Sequence, residues 1–177
     1  MAEALEPALP PAVDQLSLFV LRECCDRNLM LVTAESCTGG LLASLLTDVP
    51  GCSHAFERGY VTYTNEAKHE LLGVPQEVLD TVGPVSEAAA RAMAEGALER
   101  SRGDLACSIT GYAEAGPGPD QPAGLVHFAV ARRNQPTTHV ERRFGDVGRA
   151  AVRLGCLQTA LEMLRDRIIR SAPVAAE

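Results

Sequence analysis

Leu29-Met30-Leu31-Val32-Thr33-Ala34-Glu35-Ser36-Cys37-Thr38-Gly39-Gly40-Leu41-Leu42-Ala43-Ser44-Leu45-Leu46 is the stretch on which the reading of the fold turns. Leu29 to Thr33 is a short apolar run suited to a buried strand, and Thr38 to Leu46 reads as a helix that Pro50-Gly51 terminates. A strand that passes through a polar, glycine-bearing turn into a helix is the building unit of α/β domains. Such sheets place their ligands at the carboxyl ends of strands, which is where Ser36 falls.

Working outward, Val13 to Arg27 carries Leu16, Phe19, Val20 and Cys24 at helical spacing. Ahead of it, Pro10-Pro11 is expected to bar a helix start, so residues 1–12 are taken as a disordered arm, matched by a tail over 171–177. Downstream, Ala55 to Tyr63 is rich in β-forming residues. Asn65 is expected to cap a short helix that Gly73 closes, Pro75 to Val82 is a second short helix, and Ser86 caps an Ala-rich helix over Glu87 to Arg100. Asp104 to Thr110 is a buried strand, followed by a long loop from Gly111 to Ala123. Gly124 to Arg132 and Thr137 to Phe144 form a hairpin around Asn134-Gln135-Pro136. In the last helix Leu154, Leu157, Leu161, Leu164 and Ile168 make one apolar stripe, with Asp146 as the expected cap. Helices interleaved with strands plus one hairpin give an α/β fold: a three-layer α/β/α sandwich with a mixed sheet, in a single domain over 13–170.

Composition narrows the function classes. The 177 residues suit one domain burying roughly 70% of the surface of its unfolded chain. Hydrophobic residues at 46% and charged ones at 22% exclude wholesale disorder. A net charge of -7 repels phosphate backbones, so no direct nucleic-acid partner is expected. No apolar run approaches the roughly 20 residues of a membrane helix, and the acidic N-terminus is unlike a signal peptide, which points to a cytoplasmic protein. The six cysteines lack Cys-x-x-Cys spacing, in keeping with reduced thiols and no metal site.

Ser36 is the candidate nucleophile. The amides of Cys37, Thr38, Gly39 and Gly40 would be first-turn donors at the positive end of a helix, suited to an oxyanion or a phosphate; the same pattern also serves a plain helix cap. Cys37 is a rival nucleophile, but no nearby histidine is available to activate it. The candidate base is Lys68, in the first turn of the Asn65 helix. Working at neutral pH, its amine must fall from about 10.4, a bias of about 4 to 5 kcal/mol toward the neutral form, and Glu66 must point away. Tyr63, at a strand end, is placed to donate or relay a proton through its hydroxyl, or equally to serve in packing. Thr110 and Gly111 end a strand that opens on the same edge, and Arg149 and Arg153, four apart, are spaced to hold a phosphate between them.

The pattern Thr33-Ala34-Glu35-Ser36-Cys37-Thr38-Gly39-Gly40, then Tyr63-Thr64-Asn65-Glu66-Ala67-Lys68 with Leu71-Leu72-Gly73-Val74, Val85-Ser86-Glu87 with Ala92-Met93-Ala94, and Ile109-Thr110-Gly111 resembles the CinA C-terminal domain family over about Val13 to Arg170. The resemblance implies an amidohydrolase that converts nicotinamide mononucleotide to nicotinic acid mononucleotide and ammonia. It implies a serine nucleophile, a lysine base and a neighbouring tyrosine, at Ser36, Lys68 and Tyr63, with no cofactor. The partner implied is a small nucleotide substrate; the oligomeric state is left open, a homo-oligomer included. A catalytically altered homologue serving as a nucleotide-binding or regulatory module is the alternative.

One departure bears on substrate. Where the family reads Thr-Gly-Ile-Ala-Gly-Pro-Gly-Gly, this chain has Thr110-Gly111-Tyr112-Ala113-Glu114-Ala115-Gly116-Pro117-Gly118-Pro119. If that loop lines the pocket, Glu114 is expected to repel a phosphate monoester. The larger N-terminal domain of many relatives has no counterpart in the sequence, so an activity residing there is not expected of it.

Overall fold

A computed structural model describes residues 9–116, 118, 119 and 121–170. Most of the expected arm, residues 1–8, and the tail, 171–177, lie outside the described residues. The chain runs α1 (Pro11–Asp26), β1 (Leu31–Glu35), α2 (Leu41–Leu45), a single 3-10 turn at Ser53–Ala55, β2 (Phe56–Val61), α3 (Asn65–Leu72), α4 (Gln76–Thr81), α5 (Glu87–Glu99), β3 (Leu105–Gly111), β4 (Leu125–Arg132), β5 (Gln135–Arg143) and α6 (Arg149–Ile169). The sheet order is β2-β1-β3-β4-β5, with β1 parallel to β2 and β3, and β4 antiparallel to β3 and β5. It is the expected mixed sheet between helical layers. β1 and β3, in the middle, are buried almost throughout, and their carboxyl ends, Glu35 and Ile109, lie side by side in register.

Each face of the sheet has its own core. On one, Leu31, Cys107, Ile109, Val126, Phe128 and Val130 pack against α1 and α6. On the other, Val32, Ala34, Ala106, Ala129 and Ala131 meet the small residues of α5, with Leu72 of α3 and Leu79 of α4 closing that layer. The alanines let α5 approach the sheet closely enough for Ser108 Oγ to donate to Ala90 O at 2.6 Å. Gly96 lets α3 lie against α5, since a Cβ there would run into the Leu72 carbonyl. Through that contact α5 holds α3, and with it residue 68, against the end of the sheet.

Several boundaries differ from those read in the sequence. The two prolines do not bar α1: Pro11 is its first residue, where the missing amide hydrogen would have had no partner. β1 begins two residues later than expected and takes in Glu35. α2 is five residues long, not nine, because Gly39 and Gly40 both adopt left-handed backbone (φ 63° and 96°) and break it on its amino side. The cap of α3 is Thr64, whose hydroxyl accepts from Ala67 N at 3.1 Å, not Asn65. The cap of α6 is Gly148, not Asp146. The hairpin turns at Arg133-Asn134, one residue earlier than read, with Asn134 at φ 59°. Ser86 and Gly73 cap α5 and α3 as read.

Candidate active site

Ser36 follows directly on β1. Its amide donates to Ile109 O at 2.9 Å, so the chain is still tied to β3 at the point where it leaves the sheet. The turn Ser36–Gly40 is then closed from within: Gly39 N donates to Ser36 O at 3.0 Å. Glu35, fully buried, spreads its carboxylate over three amides, with Gly40 N and Leu42 N at 3.1 Å from Oε2 and Ala43 N at 2.8 Å from Oε1. A buried carboxylate needs such compensation. Here it stands where a helix cap would, and it fixes the turn that carries the serine.

Lys68 is 1% exposed, the largest of the fully buried side chains. It comes off α3 with Nζ at 3.1 Å from Ser36 Oγ, 2.9 Å from Thr62 O and 3.5 Å from Tyr63 O. Among the described residues no carboxylate bonds it, and Glu66 is exposed. Burial lowers the lysine from its ordinary 10.5 to about 8, with the neighbouring Cys37 opposing. A neutral amine has two hydrogens and one lone pair. With Thr62 O and Tyr63 O accepting the hydrogens, the lone pair is left facing the Ser36 hydroxyl, which is the arrangement of a nucleophile and its general base.

The pair sits at the bottom of a cleft of about 280 Å³ lined by Ser36, Cys37, Tyr63, Lys68, Thr110, Gly111, Tyr112, Glu114 and Arg149, among others. Thr110 is held there by its hydroxyl, which donates to Pro84 O at 2.7 Å. Gly111 is needed for the approach of β4, because a Cβ would lie 2.6 Å from Val126 Cγ2 and 2.7 Å from Leu125 O. At the mouth, Arg149 Nη2 donates to Tyr63 Oη at 3.4 Å, and its Nη1 lies 3.9 Å from Glu114 Oε2.

Four readings of the site are corrected. Gly39 and Gly40 do not offer free amides: the first is spent on Ser36 O and the second on Glu35, which leaves Cys37 N and Thr38 N as the amides of the turn without a main-chain acceptor among the described residues. The helix-terminus argument fails with them, since the first donors of α2 are already satisfied by Glu35. Arg153 does not pair with Arg149 around a ligand; its Nη2 donates to Thr38 O at 2.7 Å, bracing the turn from behind. The Tyr63 hydroxyl, on a residue 62% exposed, bonds Arg149 rather than Ser36 or Lys68, so it is the backbone carbonyl of Tyr63 that meets Lys68 Nζ. The rival Cys37 also lines the cleft; its thiol is buried in the α1/α6 core and bonded by Cys156, which holds its pKa down, but it is Ser36, not Cys37, whose side chain Lys68 meets.

Comparison with known proteins gives the family of this fold. The chain is similar to the competence/damage inducible protein of Agrobacterium tumefaciens, a solved structure with TM-score 0.88 and 45% identity that spans 91% of this chain and 98% of that one. The model of the CinA C-terminal domain matches residues 13–168. The chain belongs to the CinA C-terminal domain family. Among other CinA family members, a Klebsiella pneumoniae structure aligns at TM-score 0.83 and 34% identity over 89% of this chain and 98% of its own. The CinA-like protein of Akkermansia muciniphila is 50% identical over 130 residues, 73% of this chain and 31% of that protein. This CinA domain thus spans about a third of the length of the curated relatives it matches. No helix among its described residues is long and apolar enough to cross a membrane.

Two features of the CinA site escaped the sequence reading. Glu35 went unassigned, because an acid at the end of an apolar run looks like the end of a strand. The other had a plain signal: fifteen of the sixteen basic residues are arginines, and Lys68 is the single lysine of the chain. A guanidinium cannot be a base near neutral pH, whereas an amine can, so the lone lysine among arginines singles this position out as a candidate base.

Proposed function

We propose that this CinA domain is an amidohydrolase acting on the carboxamide of nicotinamide mononucleotide, with Ser36 as nucleophile and Lys68 as base. The observation that carries this reading is the only lysine of the chain, buried, lowered to about 8 and 3.1 Å from a serine hydroxyl at the end of β1. At pH 7 about one molecule in ten then holds the neutral amine, a remaining cost of about 1.4 kcal/mol, well short of what an exposed lysine would impose.

Lys68 accepts the Ser36 proton as Ser36 Oγ attacks the carboxamide carbon. The amides of Cys37 and Thr38 are the donors for the oxyanion, in a turn that Glu35 and Arg153 hold still before the substrate arrives. The protonated lysine gives its proton to the departing ammonia, and a water, activated by the same amine, hydrolyses the acyl-enzyme. Tyr63 and Arg149 stand at the mouth, where they meet the far end of the substrate.

The test is ammonia release from nicotinamide mononucleotide by wild type and Ser36→Ala. The expected result is turnover in the first and none in the second, with melting temperatures within a few degrees. Equal activity in both ends the serine mechanism. Binding of the nucleotide with no product from it or from its unphosphorylated riboside replaces the amidase reading with that of a binding module.

A further inference from the structure

The wall of the cleft above Ser36 carries charges that the chemistry itself does not use. Lys68 lies at the bottom and works as a neutral amine, and Arg153 is turned to the Thr38 carbonyl behind the turn. Arg149 is left as the cation of the mouth. A lone guanidinium at a pocket mouth suits a phosphate, but this one has a carboxylate beside it: Glu114 Oε2 is 3.9 Å from Nη1, while Nη2 bonds the Tyr63 hydroxyl. Two aromatic side chains, Tyr63 and Tyr112, line the same cleft. A carboxylate and aromatic faces favour a cation, and the net charge of -7 steers in the same direction.

Resting on the amidase reading above, we infer that Glu114 sets the substrate class: the site takes the carboxamide of a cationic N-glycosylated pyridinium without a phosphate in preference to its phosphomonoester. The two candidates differ only at the end that reaches the mouth. A pyridinium ribonucleoside carries one positive charge, whereas its 5′-monophosphate carries the same charge and two negative ones. With Glu114 offsetting Arg149, the dianion meets as much repulsion as attraction, and the bare nucleoside loses nothing.

The experiment measures kcat/KM for nicotinamide riboside and for nicotinamide mononucleotide with wild type and Glu114→Gln, at low and high salt. Wild type is expected to prefer the riboside. Glu114→Gln should move the ratio toward the mononucleotide by about tenfold, the order set by one like charge facing a dianion at a solvent-screened rim, and high salt should shrink that shift. A wild-type preference for the mononucleotide, or a ratio that Glu114→Gln leaves unchanged, overturns the inference. If neither compound is hydrolysed, the amidase reading fails separately. The same pair titrated into Ser36→Ala by calorimetry then decides: tighter binding of the riboside supports the inference, and binding that favours the mononucleotide, is equal for both or is absent for both overturns it.

Discussion

Replacing Lys68 with methionine removes the proposed base and, at neutral pH, also removes a burden on the fold. The side chain is 1% exposed and its amine is lowered from 10.5 to about 8, so the folded state disfavours the charged form by about 2.5 pH units, or ~3 kcal/mol. Because the folded pKa lies below the unfolded one, the unfolded chain binds the extra proton between about pH 8 and 10.5. Stability from this group is therefore missing at pH 7 and regained as the pH rises through that window. Methionine has nearly the same length and carries no charge, but it leaves Thr62 O and Tyr63 O without the lysine's hydrogens, at about 1 kcal/mol each. The net expectation for Lys68→Met is a gain of about 1 kcal/mol at pH 7 that turns into a loss above about pH 9. The assay is urea unfolding of both proteins over this range, read as the difference between them. The difference matters, because the buried thiols Cys24 and Cys107, raised by burial, titrate alike in both. A difference that stays constant from pH 7 to 10.5 would refute the reasoning, since it would mean that the lysine has no depressed pKa to relieve.

Two more outcomes follow from other buried polar groups. Glu35→Gln puts an amide NH2 against one of the three amides that now meet a carboxylate, and should cost about 1–3 kcal/mol of stability while lowering kcat more than it raises KM; an unchanged urea midpoint and unchanged kcat contradict it. His127 and His139, stacked with Nδ1 and Nε2 3.1 Å apart, are both held below 6.5, chiefly by burial, with Glu141 and Glu87 opposing and Arg91 and Arg143 assisting. The unfolded chain thus takes up protons first as the pH falls below 6.5, so their contribution is complete above that value and lost below it. Wild type should lose more of its urea midpoint than His127→Gln between about pH 7 and about pH 5, and equal losses would contradict this.

The layers of the fold were legible because hydrophobic spacing and caps act locally. Ser86, Gly73 and the apolar stripe of α6 needed no knowledge of distant residues. The serine was legible for the same reason, since it closes a run of strand residues. What was not legible depended on contacts far along the chain. Glu35 pairs with both neighbouring strands at the end of β1, and its buried carboxylate is tolerated there because the amides of the following turn meet it. Arg153 reads as a ligand-binding cation until the fold brings it to Thr38 O, 115 residues away in sequence. Gly39 and Gly40 read as the loose start of a helix, when their left-handed backbone in fact interrupts it. The Tyr63 side chain was read as a proton relay, but the base meets its carbonyl, a group every residue has. Lys68 is the opposite case: local helix position pointed to it, and the absence of any other lysine gave a second signal independent of structure.

That same absence makes the central claim directly measurable. In protein labelled with 13C and 15N only at lysine, one side-chain signal reports Lys68, and its chemical shift followed against pH gives the pKa of the amine without assignment. The account predicts a midpoint of about 8, coincident with the rise of kcat/KM for amide hydrolysis. A midpoint near 10.4, the value of a lysine in water, would show an amine charged throughout the working range and unable to take the proton of Ser36.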